Sequence, residues 1–260
     1  MFDNKNILDI AISKGKIPRY LYKFRTQSQL MQILQESTLY FSSPANFNDP
    51  FDCQISVDAT NTIEEIAKYL ENFEKDDEER FKLANELYNT PESWSNLINK
   101  VASQSINMQG VCSFAKDYQN ILMWSHYTQS HTGVCLKFDL TADLDFFHYP
   151  SKVIYQKNYP FYNHITSKAK MLDTLMLTKA IDWEYEQEYR IIKMTDIGPK
   201  VFKKEALTEI IFGCRCEIEY IEKIIETVKQ LDYNIVVKQA FVSKYEYKLL
   251  FKPITIGHHI

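Results

Sequence analysis

Glycine is scarce in this 260-residue chain: there are six, Gly15, Gly110, Gly133, Gly198, Gly213 and Gly257, and each stands alone. Phosphate-cradling loops of the GxGxxG or GxxxxGK[ST] kind need several glycines within a few residues, because the backbone itself must approach the phosphates. Any nucleotide must therefore be held in some other way. The five cysteines, Cys53, Cys112, Cys135, Cys214 and Cys216, are odd in number, scattered and without CxxC spacing. That excludes a disulfide frame and reads as buried thiols in a reducing cytoplasm. Cys214-Arg215-Cys216 is the one close pair, a weak signal for metal or redox work. No uninterrupted apolar run approaches the ~20 residues of a membrane span, and Met1 to Lys5 open no basic region followed by an apolar stretch. The expectation is a cytoplasmic protein, neither exported by that route nor inserted in a membrane. Charge of one sign is also missing: 30 Lys and Arg stand against 34 Asp and Glu, for a formal net charge of -4. Nucleic acid thus has no global electrostatic attraction to this chain, and only a local basic patch could receive it.

Apolar residues are plentiful. At 45% hydrophobic, the chain can bury the core of one large domain or two small ones. The reading is a single domain over 1–260 with a helical insertion at about 60–107, and the class is α+β, with mixed, mainly antiparallel strands in one or two sheets. Strands are predicted near 19–25, 38–43, 109–114, 132–139, 152–156, 187–192, 201, 208–213, 235–242 and 248–251. Helical spacing marks 5–13, 27–37, two or three segments between 62 and 105, 120–127, 164–181 and 217–230. Thr26 or Ser28 suits an N-cap, and Pro44 ends the second strand. Asn48-Asp49-Pro50 has turn chemistry, and the charge run from Glu74 to Arg80 reads as a solvated helix face. His126 and His131 are five apart, which does not place them on one helix face as a two-histidine metal site requires.

The most unusual stretch is Trp183-Glu184-Tyr185-Glu186-Gln187-Glu188-Tyr189-Arg190-Ile191-Ile192. If it is a strand, the period of two sets Glu186, Glu188 and Arg190 on one face and Tyr185, Gln187 and Tyr189 on the other. Neighbouring carboxylates raise each other's pKa while an arginine lowers it, so such a site sets its own proton affinities. A half-exposed edge strand with a solvated charged face reads the same pattern.

Leu21-Tyr22-Lys23-Phe24-Arg25, Asn48-Asp49-Pro50-Phe51, Met123-Trp124-Ser125-His126-Tyr127, Gly133-Val134-Cys135-Leu136, the stretch from Trp183 to Arg190, and Ile210-Ile211-Phe212-Gly213 together resemble the bacterial family catalogued as domain of unknown function 2971, over nearly the whole length. That resemblance implies a neighbourhood of mobile elements and phage-defence genes, and so a defensive role. A second likeness is to the Arg-Ser-Glu pattern of ADP-ribosyltransferases: an arginine on a first strand, aromatic-Ser-Ser on a second and Glu-x-Glu on a later one, with Pro44 standing where the pattern has a third polar residue. It implies NAD held in a cleft between two small sheets without a glycine-rich loop. By that likeness Arg25 meets the NAD phosphates, Ser42 or Ser43 orients the glutamate and the nicotinamide ribose, and Tyr40 or Tyr127 stacks on nicotinamide. Glu188 bonds the ribose and stabilises the charge left as nicotinamide departs, and Glu186 deprotonates the acceptor.

The favoured function is NAD-dependent ADP-ribosyl transfer or NAD cleavage, with NAD as substrate and an unspecified protein or nucleic-acid acceptor. Two other classes stay open. One is a metal-dependent nuclease or hydrolase with Glu186, Glu188 and Asp49 or Asp139 around Mg²⁺. The other is a non-enzymatic sensor or interaction module in which Trp124, His126, Tyr127, Trp183 and Arg190 pack a polar core.

Overall fold

The computed structural model describes residues 4–167 and 170–254. In chain order its elements are α1 (Asn4–Ser13), β1 (Tyr20–Arg25), α2 (Gln27–Glu36), β2 (Thr38–Phe41), β3 (Ser56–Val57), α3 (Ile63–Leu70), α4 (Asp77–Asn89) and α5 (Pro91–Asn107). Next come β4 (Gly110–Ala115), α6 (Ile121–Tyr127), β5 (Val134–Asp139), α7 (Leu144–Phe147), β6 (Ser151–Lys152), β7 (Ile154–Gln156) and β8 (Phe161–Tyr162). The remainder is α8 (Met171–Met176), β9 (Thr178–Ala180), β10 (Glu188–Lys193), β11 (Gly198–Val201), β12 (Leu207–Phe212), α9 (Ile218–Gln230), β13 (Val236–Val242) and β14 (Leu249–Pro253). These fold as two compact units, the first from Met1–Ser42, Gly110–Val153 and Asp182–Ile260, the second from Ser43–Gln109 and Ile154–Ile181. The class is α+β with mixed, mostly antiparallel sheets, as the alternating patterns imply.

The first unit is built on an eight-stranded sheet in the order β14-β13-β12-β5-β1-β4-β10-β6. Every neighbouring pair is antiparallel except β12 with β13, which run parallel and are joined through α9, the crossover that a parallel pair requires. Alternation gives the sheet two faces. One carries Leu21, Phe114, Leu136, Tyr189, Ile191 and Ile210 into the larger core, where residues of α1, α2, α7 and α9 cover them. The other carries Phe24, Ala115, Cys135, Ile211 and Ala240 beneath Met123 and Trp124 of α6. Thr26 caps α2 as expected, in a reciprocal capping box with Gln29. β2 stands outside the main sheet, pairing with β11.

In the second unit α3, α4 and α5 follow one another, and Ile66, Ala67 and Ala84 are buried in a small core with Ile63, Leu70, Leu87 and Ile165 around them. A Thr62–Glu65 capping box opens α3 and Asp76 caps α4, so part of the acidic run is spent on a helix start. The Asn48–Cys53 loop is a chain of side-chain turns: the amide of Phe51 donates to Asp49 and that of Cys53 to Asp52, with Cys53 left-handed at φ 57°.

Two expected elements form differently. The strand near 152–156 divides in two, Ser151–Lys152 joining β10 and Ile154–Gln156 joining β9. The helix expected over 164–181 shrinks to Met171–Met176. Asn163 is the reason at its start: its side-chain oxygen accepts from the amides of Ile165 and Thr166, a local turn that competes with helix. Lys168 and Ala169 of that span lie outside the described residues. Among the described residues no helix is long and apolar enough to cross a membrane.

Candidate functional site

The stretch from Trp183 to Ile192 is two structures joined by a strained residue. Ile181–Glu186 winds as a 3-10 turn, Gln187 adopts a left-handed φ of 45°, and only from Glu188 does the strand begin. The amide of Lys116 donates to the Gln187 carbonyl, and that of Val153 to the Glu188 carbonyl. β10 is thereby fixed between β4 and β6, an interior strand and not the solvated edge that its charges also allowed. Glu188 is 4% exposed and Arg190 1%.

Within the strand, alternation does what the sequence implies. Glu188 and Arg190 share a face, and the guanidinium grips the carboxylate at both oxygens, Nε to Oε1 at 2.8 Å and Nη2 to Oε2 at 3.1 Å. Such a fork-to-fork pair is the strongest geometry open to the two groups. Glu186 reaches the same face from the turn. It is also 4% exposed, and Oε1 accepts a 2.5 Å hydrogen bond from the Tyr127 hydroxyl at the end of α6.

Helix α6 is placed by the same stretch. Asn120 caps the helix by accepting from the Leu122 amide, and its Nδ2 donates to the Tyr185 carbonyl at 3.1 Å. Trp124, fully buried, donates its indole N–H to the Tyr118 carbonyl at 2.6 Å. The Tyr185 hydroxyl meets His126 Nδ1 at 3.0 Å, and the Trp183 ring lies 6.4 Å from His126 and 5.9 Å from Tyr185. A partly exposed wall of rings thus stands over a buried layer of two carboxylates and one guanidinium.

The other expected site residues are placed elsewhere. Tyr22 of β1 lies opposite Ala115, which lies opposite Glu188, so these share a face; Arg25, an odd number of residues from Tyr22, points to the other. There it sits by Cys112, donates to the Phe24 carbonyl at 3.2 Å, and burial holds its pKa below the usual arginine value. The sheet separates Arg25 from Glu188. Ser42 exchanges backbone hydrogen bonds with Val111, four residues along β4 from Ala115 or about 13 Å at strand rise. Tyr40 is 55% exposed on β2, opposite Pro199. Ser43, in the second unit, donates to the Asn107 carbonyl and caps the Pro44–Asn46 turn.

For the metal reading, Asp139 is held by Arg19 Nη2 at 2.7 Å and lies three strands from β10, about 14 Å at normal strand spacing. Oxygens sharing one cation sit within about 2.6 Å of it, so Asp139 cannot join Glu186 and Glu188. Among the described residues no group of three or more His, Cys, Asp or Glu side chains could hold a metal ion. Sequence reasoning passed over Lys23, whose ammonium is buried in the apolar face, 2.5 Å from the Ser113 carbonyl and over the Phe114 ring. Desolvation, with Arg25 nearby, lowers its pKa to about 8. Its place in alternation with Leu21 was the available signal.

A family model described as "Protein of unknown function (DUF2971)" matches residues 123–191. This is narrower than the nearly full-length resemblance read from the sequence, and it runs from Met123 in α6 to Ile191 in β10, spanning both halves of the site. No curated protein and no solved structure matches the chain.

Proposed function

We propose that the chain acts on NAD, cleaving the bond between nicotinamide and ribose or passing ADP-ribose to a macromolecular acceptor, with Glu186 and Tyr127 at the chemical centre. The observation that carries this reading is the 2.5 Å hydrogen bond from Tyr127 to a buried Glu186, beside a partly exposed ring wall. When the C1′–N bond breaks, its electron pair leaves with nicotinamide and positive charge develops on the ribose. A fixed carboxylate in a poorly solvated site stabilises that charge in the transition state. Water or an acceptor nucleophile then bonds to C1′ and gives up its proton to the carboxylate.

The roles differ from those the Arg-Ser-Glu likeness implied. Glu188 is bound at both oxygens by Arg190, which suits positioning, and the charge-stabilising role goes to Glu186, which Tyr127 holds. Trp183, Tyr185 and His126 offer the rings for nicotinamide. Arg25, behind the sheet, and Ser42, about 13 Å along β4, take no part. A place in phage defence rests on the family resemblance alone. The test is nicotinamide release and label transfer from NAD by the whole chain, with added protein or nucleic-acid acceptors. Turnover that disappears in a folded Glu186→Gln variant upholds the reading; absence of both turnover and NAD binding refutes it.

One observation favours a second reading. A buried, doubly bonded Glu188–Arg190 pair is what a structural network in a sensor or interaction module contains. In that case neutralising either glutamate changes stability and there is no activity to lose.

A further inference from the structure

At the far end of the same sheet, the loop between β13 and β14 presents Ser243-Lys244-Tyr245-Glu246-Tyr247-Lys248. Tyr245 is 93% exposed and Tyr247 101%, an unusual degree for two large rings that stand four and two residues before β14. The loop is nevertheless ordered by its own bonds: Ser243 Oγ accepts from the amides of Tyr245 and Glu246, and the Ser243 amide donates to the Lys248 carbonyl. These bonds fix the backbone that carries the two rings.

They form one wall of a cleft of about 530 Å³, whose other walls include His131, Cys214 and Arg215. That opposite wall is built at a cost. Gln129, Ser130 and His131 are three successive left-handed residues, at φ 49°, 56° and 71°. Such strain clusters at functional sites. Backbone bonds lock the strained loop to its neighbour, Arg215 N–H to the His131 carbonyl at 3.0 Å and Gly213 N–H to the Gly133 carbonyl at 2.9 Å. His131 Nδ1 is buried with no hydrogen-bond partner. Among the described residues neither Arg215 nor Lys244 has an ion-pair partner, while Glu246 is paired with Lys248. In a protein of net charge -4, this cleft gathers three cations against one carboxylate.

We propose that this cleft binds unstacked nucleotides of single-stranded nucleic acid, with Tyr245 and Tyr247 as stacking platforms for the bases and Arg215 and Lys244 meeting the phosphates. Exposed rings flanked by cations are how single strands are held without sequence preference, since every base has a ring face and every linkage a charge. A free nucleotide offers the same chemistry and competes for the same place. The site is independent of the NAD reading and uses none of its residues.

The experiment is fluorescence anisotropy of the whole chain with a labelled 12-nucleotide single strand, as DNA and as RNA, over a salt series, with unlabelled AMP as competitor. Binding that weakens at least about tenfold in a Tyr245→Ala/Tyr247→Ala double variant, with unchanged thermal unfolding, upholds the site. Arg215→Gln should also flatten the salt dependence, by about 0.7 in the slope of log affinity on log salt. Tighter binding of the strand than of AMP per molecule assigns the cleft to nucleic acid, and equal binding assigns it to free nucleotide. If neither ligand binds at low salt, or if the variants bind like wild type, the proposal fails and the tyrosine loop is left to a protein partner.

Discussion

The Tyr127 hydroxyl donates to Glu186 Oε1 across 2.5 Å, closing a bond between residues 59 apart in the chain. It fastens the last residue of α6 to the turn that launches β10. Replacing Tyr127 with phenylalanine keeps the ring and removes the donor from a carboxylate that is 4% exposed. The expected loss is about 1–3 kcal/mol in urea unfolding, the range for removing one partner of a buried polar group. On the NAD reading the same change lowers nicotinamide release by about a hundredfold, because the carboxylate is no longer held in place. Wild-type stability in Tyr127→Phe would show that the bond does not hold the two segments together.

Arg190 and Glu188 are buried as a pair, so each depends on the other. Arg190→Met should destabilise the protein by about 3–5 kcal/mol, chiefly because a buried carboxylate loses the guanidinium that compensates it. Combining it with Glu188→Gln removes that uncompensated charge, and the double variant should be less destabilised than the two singles together. A double-mutant cycle in chemical denaturation measures the coupling. Strict additivity would mean that the two groups act separately despite their contact.

These pairs also show how much a lone sequence reveals. Periodicity exposed the strands of the main sheet, and Glu188 facing Arg190 follows from a period of two within a single strand. What alternation could not give is the break at Gln187, since glutamine carries no turn signal and its left-handed φ is imposed by bonds to distant segments. Nor could it show that Arg25 and Glu188 occupy opposite faces. That depends on the registers of β1 with β4 and of β4 with β10, set by pairing between strands far apart in the chain. The meeting of Tyr127 with Glu186 was hidden for the same reason, although both segments had been singled out for their residues.

Lys23 makes stability depend on pH in the same direction as a salt-bridged acid, but in the alkaline range. Its folded pKa is lowered to about 8, first by burial and then by Arg25, whereas in the unfolded chain it lies near 10.5. Below pH 8 both states are protonated and the cost of the buried charge is fully present. Between about pH 8 and 10 the unfolded chain binds the extra proton, so stability rises with pH, by up to about 3 kcal/mol over the whole window. Burial raises the pKa of the Cys135, Cys214 and Cys216 thiols and of the Tyr22 phenol, so these act in the opposite sense, the thiols as pH passes about 9 and the phenol past about 10. Urea unfolding between pH 7 and 9.5 should show wild type gaining stability relative to Lys23→Met as pH rises, the thiols contributing equally to both. The same slope in both proteins would assign it to another group.

Gly213 and Gly15 are both glycines for a physical reason, but not the same one. A Cβ on Gly213 would overlap the carbonyl oxygen of His131, a backbone atom fixed by its bond from Arg215. Gly15 has open space around it and a left-handed φ of 67°. Gly15→Ala should therefore cost only the left-handed penalty, about 1–2 kcal/mol. Gly213→Ala must push apart the strained loop and the start of the Cys214–Cys216 segment, at about 1–3 kcal/mol or more. Because the displaced atoms form the wall of the tyrosine-lined cleft, Gly213→Ala should also weaken oligonucleotide binding while Gly15→Ala leaves it unchanged. Paired unfolding and anisotropy measurements on the two variants check this. Equal effects on binding would mean that the loss comes from general destabilisation and not from the shape of that wall.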